Sequence, residues 1–176
     1  MTEHGNAYAV RVWDKVAVLL QKQLAEAGVP PDHVDENKTA ALTGNNQSSV
    51  YSVGDKTLAK GSNMSKVRWY SSSTLLLNGE VYVQGGFGGA YWPEVRQADG
   101  TYRVLTGAVT NHLDASYPRN YVAPDGRIFG YDSLGKMYFI DTAGKGTLEN
   151  VGQFPAATSG SSASAAMFAP GQILQY

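Results

Sequence analysis

Leu76-Leu77-Asn78-Gly79-Glu80-Val81-Tyr82-Val83 carries the strongest structural signal in the chain. An apolar lead-in enters a turn with glycine, one polar residue follows, and an alternating strand begins. The same grammar returns in Ala123-Pro124-Asp125-Gly126-Arg127-Ile128-Phe129-Gly130 and in Ala169-Pro170-Gly171-Gln172-Ile173-Leu174. The three glycines stand 47 and 45 residues apart. A period in the forties with several strands per unit is the sequence mark of a β-propeller blade, whose face only the next blade covers.

Working outward, short β-rich runs alternate with turn signals from Ser48 onward. Asn78-Gly79, Asp99-Gly100 and Asp125-Gly126 are hairpin dipeptides. They join Leu75–Leu77 to Glu80–Gln84, Glu94–Arg96 to Tyr102–Leu105, and Tyr121–Ala123 to Arg127–Tyr131. Ser133-Leu134-Gly135 then leads into Lys136–Ile140. The expected fold is mainly β. Residues 41–176 are read as an incomplete kelch-like propeller of about two and a half antiparallel blades, with Ser48–Asn63 as the end of a preceding blade.

Residues 1–40 differ. Val12, Val16, Leu19, Leu20 and Leu24 recur at helical spacing, which predicts a helix over Ala7–Val29 packed on its own domain. Gly28 and Pro30-Pro31 stop it, and Asp32–Thr39 is a polar connector. Val16–Leu20 is too short to span a bilayer, and Met1–Asn6 shows no signal peptide.

The 176 residues carry 16% charged side chains and a formal net charge of −1. That balance argues against nucleic-acid binding by phosphate neutralisation. With no cysteine, a disulfide framework, a thiolate nucleophile and a Cys-containing zinc site are all excluded. Gly85-Gly86-Phe87-Gly88-Gly89 follows a strand but opens no helix, so it is no phosphate loop. Ser159–Ser164 is a Gly/Ser linker without the spacing of a nucleophile elbow. Asp132, Asp141 and Glu149 lack the spacing of a calcium loop and are better read as turn residues. His4, His33 and His112 are read as solvated loop histidines.

Met64-Ser65-Lys66-Val67-Arg68-Trp69-Tyr70, followed by Leu77-Asn78-Gly79-Glu80-Val81-Tyr82-Val83-Gln84-Gly85-Gly86, resembles the kelch-type propeller of the galactose oxidase and glyoxal oxidase family. Members carry Arg-x-Tyr at a blade start, then a turn and a strand ending in Gly-Gly. Tyr117 to Arg127 and Ser164 to Leu174 are similar to further blades. The resemblance covers about residues 45–176.

It implies a seven-bladed ring with copper on its axis and oxidation of primary alcohols, aldehydes or sugars by O₂, releasing H₂O₂. It also implies a secreted or cell-surface setting. In the family, copper is held by two tyrosines and two histidines, and one tyrosine, cross-linked to a cysteine, holds a radical. Tyr70 matches that tyrosine; a plain alternative is an aromatic filling the core between blades. Phe87 stands where an aromatic shields it, or simply caps its strand. Arg119 matches an arginine that contacts substrate hydroxyls, a task its fork of donors suits; an exposed loop arginine is the alternative.

The cross-linking cysteine has no counterpart in this chain. The expectation is therefore a catalytically incomplete piece of a copper-radical oxidase that binds no copper specifically by itself. The alternative is a non-catalytic propeller segment that binds carbohydrate or a protein. Uncovered blade faces should meet either the missing blades or a second copy of the chain.

Overall fold

A computed structural model describes residues 44–87, 91–155 and 163–176. The helix expected over Ala7–Val29 lies outside them. The described residues contain no helix and fold into antiparallel sheets. A hairpin of β1 (Ser49–Ser52) and β2 (Thr57–Lys60) comes first. A four-stranded meander follows: β3 (Trp69–Leu75), β4 (Val81–Phe87), β5 (Glu94–Arg96) and β6 (Tyr102–Val104). A second meander holds β7 (Arg119–Val122), β8 (Ile128–Tyr131), β9 (Lys136–Asp141) and β10 (Thr147–Gln153). The hairpin of β11 (Ala165–Ala169) and β12 (Gln172–Gln175) ends the series.

Three of the expected turns share one geometry. Gly79, Gly100 and Gly126 all have φ near +85° (84°, 86° and 86°). Their N–H groups donate to Leu76, Gln97 and Ala123, three residues back. Asn78, Asp99 and Asp125 accept the N–H two residues on through their side chains. These side-chain bonds fix the corner, and glycine alone takes the left-handed position without penalty. The loops are thus three-residue hairpins in which only the glycine is left-handed, rather than two-residue turns that need positive φ at both positions. Gly135, with φ 80°, repeats the device between β8 and β9.

The core lies between the two meanders. Leu76, Tyr82, Val95, Leu105 and Ala108 of the first unit meet Ile128, Tyr138 and Ile140 of the second. Burying each larger apolar side chain contributes about 1.5–3 kcal/mol. A polar network crosses the same interface. The Tyr82 hydroxyl donates to Gln84 Oε1 at 2.7 Å, and the Tyr138 hydroxyl sits 3.1 Å from Gln84 Oε1 and 2.9 Å from Asn120 Oδ1. Burial therefore leaves these polar atoms bonded, as a low-dielectric interior requires.

Two strands depart from the expectation. The strand expected at Leu75–Leu77 is Trp69–Leu75 instead, because Leu76 and Leu77 enter the turn. Ser71-Ser72-Ser73-Thr74 has no apolar alternation; it is a strand because β4 pairs along it. Thr147–Gln153, unassigned from sequence, is a largely exposed edge strand on β9.

Burial pushes the Tyr82 and Tyr138 phenols well above their ordinary value near 10. At Tyr82 the neighbouring Tyr138 adds to the rise and Arg68 opposes it. At Tyr138 the Gln84 hydrogen bond opposes the rise and the Asp132 charge adds to it, burial outweighing both. A phenol with a higher pKa folded than unfolded contributes stability that is complete below the unfolded value and lost as pH rises past it. Melting temperature should hold level from pH 7 to about 9 and fall above about 10. Tyr138→Phe should lower the unfolding free energy at neutral pH by about 1–3 kcal/mol, lowering the melting plateau accordingly, and flatten the alkaline fall. Thermal unfolding at pH 7–11.5 checks both; an unchanged alkaline slope in the variant would refute the assignment.

Candidate functional site

The site is built on a broken rung of the first meander. Trp69 pairs with Phe87 and Ser71 with Gly85, but the rung between them, Tyr70 opposite Gly86, is missing from the ladder. Both residues are left-handed, with φ 69° at Tyr70 and 88° at Gly86. Such a φ is rare for a bulky side chain and costs about 1–3 kcal/mol, so the surroundings must hold it.

The segment Ala115–Pro118 supplies what the ladder forgoes. Gly86 N–H donates to Ala115 O at 2.7 Å, and Tyr117 N–H donates to Tyr70 O at 2.9 Å. Tyr117 is itself left-handed, φ 48°. Its ring stacks on Tyr70 with centroids 4.7 Å apart and planes 27° from parallel. Trp69 lies 4.8 Å from Tyr70, and Phe87 meets it edge-on at 6.5 Å. Aromatic pairs of this kind add about 0.5–1.5 kcal/mol each beyond area burial, enough to offset part of the backbone strain.

Two sets of charges brace this arrangement. On one side Arg68, fully buried, donates to Gly85 O, Trp92 O and Glu94 Oε1, each at 2.7 Å. Glu94 Oε2 accepts Ser65 N–H, also at 2.7 Å. The guanidinium thus ties the start of β3 to the Gly-Gly end of β4 and to β5. On the other side Asp114 accepts Ser116 N–H at 2.8 Å, Ser116 Oγ at 2.6 Å and the Ser133 hydroxyl. Burial works to raise the Asp114 pKa, but those hydrogen bonds and the Arg119 charge outweigh it and hold the carboxyl below its usual range. Buried Asp132 in turn accepts N–H groups from Asp114, Leu134 and Lys136.

The residues singled out from sequence take these places. Tyr70 and Phe87 come together in the aromatic cluster, Phe87 half exposed at the end of β4. Arg119 is no exposed loop residue. It opens β7, is 9% exposed, and donates to Ala163 O at 2.6 Å, with Tyr117 O at 3.4 Å. It ties β7 to the chain entering β11 because its carbonyl partners lie on both sides of it. His112 is exposed, with Nε2 2.9 Å from Asn150 Oδ1. Asp141 accepts Ala143 N–H at 2.8 Å, and Glu149 pairs with Arg127 at 2.9 Å.

Sequence reasoning missed Tyr117. Its signal was faint: a tyrosine directly before Pro118, immediately after the Asp114-Ala115-Ser116 turn, in a loop whose partner lies 47 residues earlier.

Copper fits this donor set poorly. Tyr70 is surrounded by rings and backbone, and among the described residues no three His, Cys, Asp or Glu converge. Copper sites gather imidazole, thiolate or phenolate ligands in one geometry. Among the described residues no such set stands around Tyr70.

No family model matches the chain, and no curated protein matches it. A solved structure of a fungal alcohol oxidase of the AA5 family, in complex with copper, is similar with a TM-score of 0.57 and 22% identity. The match covers 71% of this chain and 30% of that one. This chain therefore spans less than a third of the oxidase it resembles, and the likeness is one of fold.

Proposed function

We propose that this chain supplies blades of a kelch-type propeller belonging to a copper-radical oxidase akin to galactose and glyoxal oxidases, with Tyr70 at the position of the radical tyrosine. The observation that carries this reading is the missing rung at Tyr70. A strand that gives up a ladder bond and adopts a left-handed tyrosine stores strain, and strain of this kind gathers where a side chain must be aimed. Arg68, the Gly-Gly pair and Tyr117 aim it. The fold likeness to a copper alcohol oxidase supports the same reading.

The succession of a two-stranded hairpin, two four-stranded meanders and a two-stranded hairpin supports a propeller segment. β3 and β7, the first strands of the two meanders, adjoin: Thr74 Oγ1 donates to Asn120 O at 3.1 Å. That is how the innermost strands of neighbouring blades would meet. Substrates on this reading are small alcohols, aldehydes or sugars, with Phe87 and Arg119 as candidate contacts.

Among the described residues no three His, Cys, Asp or Glu converge, and on this reading the chain should be inactive alone. Loaded with copper and mildly oxidised, it should release no H₂O₂ from galactose, glyoxal or methylglyoxal and show no phenoxyl absorption band. Turnover abolished by Tyr70→Phe would overturn the incompleteness. The parentage has its own test in the coding sequence on either side of this segment. A cysteine one blade before Tyr70, and a tyrosine with two histidines in later blades, are expected. An intact ring without them would replace the oxidase by a binding propeller.

A further inference from the structure

A regular ladder would carry a bonded rung at Tyr70. At the hairpin end Leu76 N–H donates to Glu80 O, and bonded positions recur at every second residue of an antiparallel pair. Counting back from that bond, Thr74 with Tyr82 and Ser72 with Gln84 are bonded pairs, and the next would be Tyr70 with Gly86. The donor and acceptor of that rung are both taken, but by a third segment. Gly86 N–H goes to Ala115 O, and Tyr70 O takes Tyr117 N–H. Residues 115 and 117 of one loop thus stand in for a single bond between β3 and β4.

The inserted arrangement is strained where it is made and anchored elsewhere. Tyr70 and Tyr117 both have left-handed φ, 69° and 48°, a region that bulky residues resist. Tyr117 is 42% exposed, so its own burial holds the loop only weakly. The firm point lies at the start of the loop. Asp114 N–H donates to Asp132 Oδ2 at 2.9 Å, while Asp132 Oδ1 accepts Leu134 and Lys136 N–H, also at 2.9 Å. Asp132 is fully buried, and its carboxylate therefore joins the β8–β9 turn to the segment that reaches Tyr70. Hydrogen bonds to an ionised acceptor are roughly twice as strong as neutral ones, which suits a latch that must hold two left-handed residues in place.

We propose that the Tyr70 rung has two states and that Asp132 is the positioning residue that selects between them. With Asp114 N–H latched on Asp132, the loop is inserted, the rung is open, and Tyr70 is left-handed and stacked on Tyr117. With the latch released, the loop withdraws, Gly86 N–H bonds Tyr70 O directly, and Tyr70 returns to extended backbone away from Tyr117. Gly86 permits both states because glycine takes either sign of φ. This deepens the proposed function, since it names what aims the tyrosine on which that reading rests. The two states themselves require no copper.

Amide hydrogen exchange on the full chain, followed by NMR, reads both states. In the wild type Tyr117 N–H should exchange about tenfold or more faster than Gly86 N–H, because withdrawal frees the first while the closing rung keeps the second bonded. Asp132→Asn retains an oxygen for Leu134 and Lys136 but turns its NH2 group toward Asp114 N–H, donor against donor. Tyr117 exchange should then rise by a further factor of about ten or more, with Gly86 and Tyr82 N–H unchanged. Overhauser contacts between the Tyr70 and Tyr117 rings should weaken. Asp114→Asn is the control. It removes a neighbouring charge but leaves the backbone N–H on Asp132, an oxygen for Ser116 and a donor for the Ser133 hydroxyl, so exchange and ring contacts should match the wild type. Asp132→Asn in which all β3 and β4 amides accelerate together, or in which Tyr117 is unaffected, would overturn the positioning role. If that variant fails to fold, the wild type still decides: equal exchange at Tyr117 and Gly86 would mean that no rung closes behind the loop, and the two states would fall. None of these readouts depends on copper, so failure here is distinct from failure of the oxidase parentage, which the neighbouring coding sequence tests.

Discussion

Arg68→Ala is expected to cost about 3–5 kcal/mol of folding stability, the usual result of removing one partner of a buried ion pair. The guanidinium is fully buried, and so is the Glu94 carboxylate it meets at 2.7 Å. Alanine leaves that carboxylate without its counter-charge and strips Gly85 O and Trp92 O of their donor. A domain of this size is typically stable by only about 5–15 kcal/mol, so the variant should be poorly folded at 37 °C. Arg68→Lys keeps the charge but lacks the fork that reaches three acceptors in one plane, and should lose an intermediate amount. Replacing Arg68 by Met and Glu94 by Leu together should recover much of the loss, since no uncompensated charge stays buried. Urea unfolding followed by far-UV circular dichroism gives the ranking. A loss under about 1 kcal/mol for Arg68→Ala would show that water reaches this pair in solution.

The β units were legible because their turns are written in the sequence. Asn78-Gly79, Asp99-Gly100 and Asp125-Gly126 need only local chemistry: a side-chain acceptor two residues before an N–H, and a residue free to go left-handed. The central strands β4, β5, β8 and β9 show enough apolar content to be read directly. β3 and β10 were not read correctly, since Ser71–Thr74 and Glu149–Gly152 are strands by virtue of their neighbours and not their own composition.

The site divides in the same way. Arg68, Tyr70 and Phe87 stood out as a motif, and the structure brings Tyr70 and Phe87 together with Arg68 beneath them. The reason Tyr70 is held as it is could not be read, because it depends on Ala115–Pro118, a loop of ordinary composition fixed by Asp114 and Asp132. Arg119 is a similar case: of the two places weighed for it, the exposed loop is ruled out, because contacts made by the fold, among them Ala163 O and the Tyr131 ring, leave it 9% exposed.

The second large effect should come from one methyl group. Gly85→Ala is expected to destabilise the chain by about 2–5 kcal/mol, from two separable causes. Gly85 has φ 74°, where any L side chain pays about 1–2 kcal/mol. A Cβ there would also stand 2.5 Å from Ala115 O and 2.7 Å from Pro118 Cδ. Neither neighbour is the free end of a flexible side chain, so relief requires moving the 115–118 segment, an overpacking cost of about 1–3 kcal/mol. Gly79→Ala isolates the first cause: its φ is 84°, yet nothing lies within 4 Å of the added Cβ. The difference between the two variants is therefore the price of displacing the segment. It should be about 1–3 kcal/mol by urea unfolding. Displacement should also part Tyr117 from Tyr70, because the stack and the Tyr117 N–H to Tyr70 O bond both come from that segment. Near-UV circular dichroism of the aromatic cluster should accordingly weaken in Gly85→Ala and stay unchanged in Gly79→Ala. Equal costs with equal spectra would mean that the segment yields freely, and then the left-handed Tyr70 must be held from the Arg68 side alone.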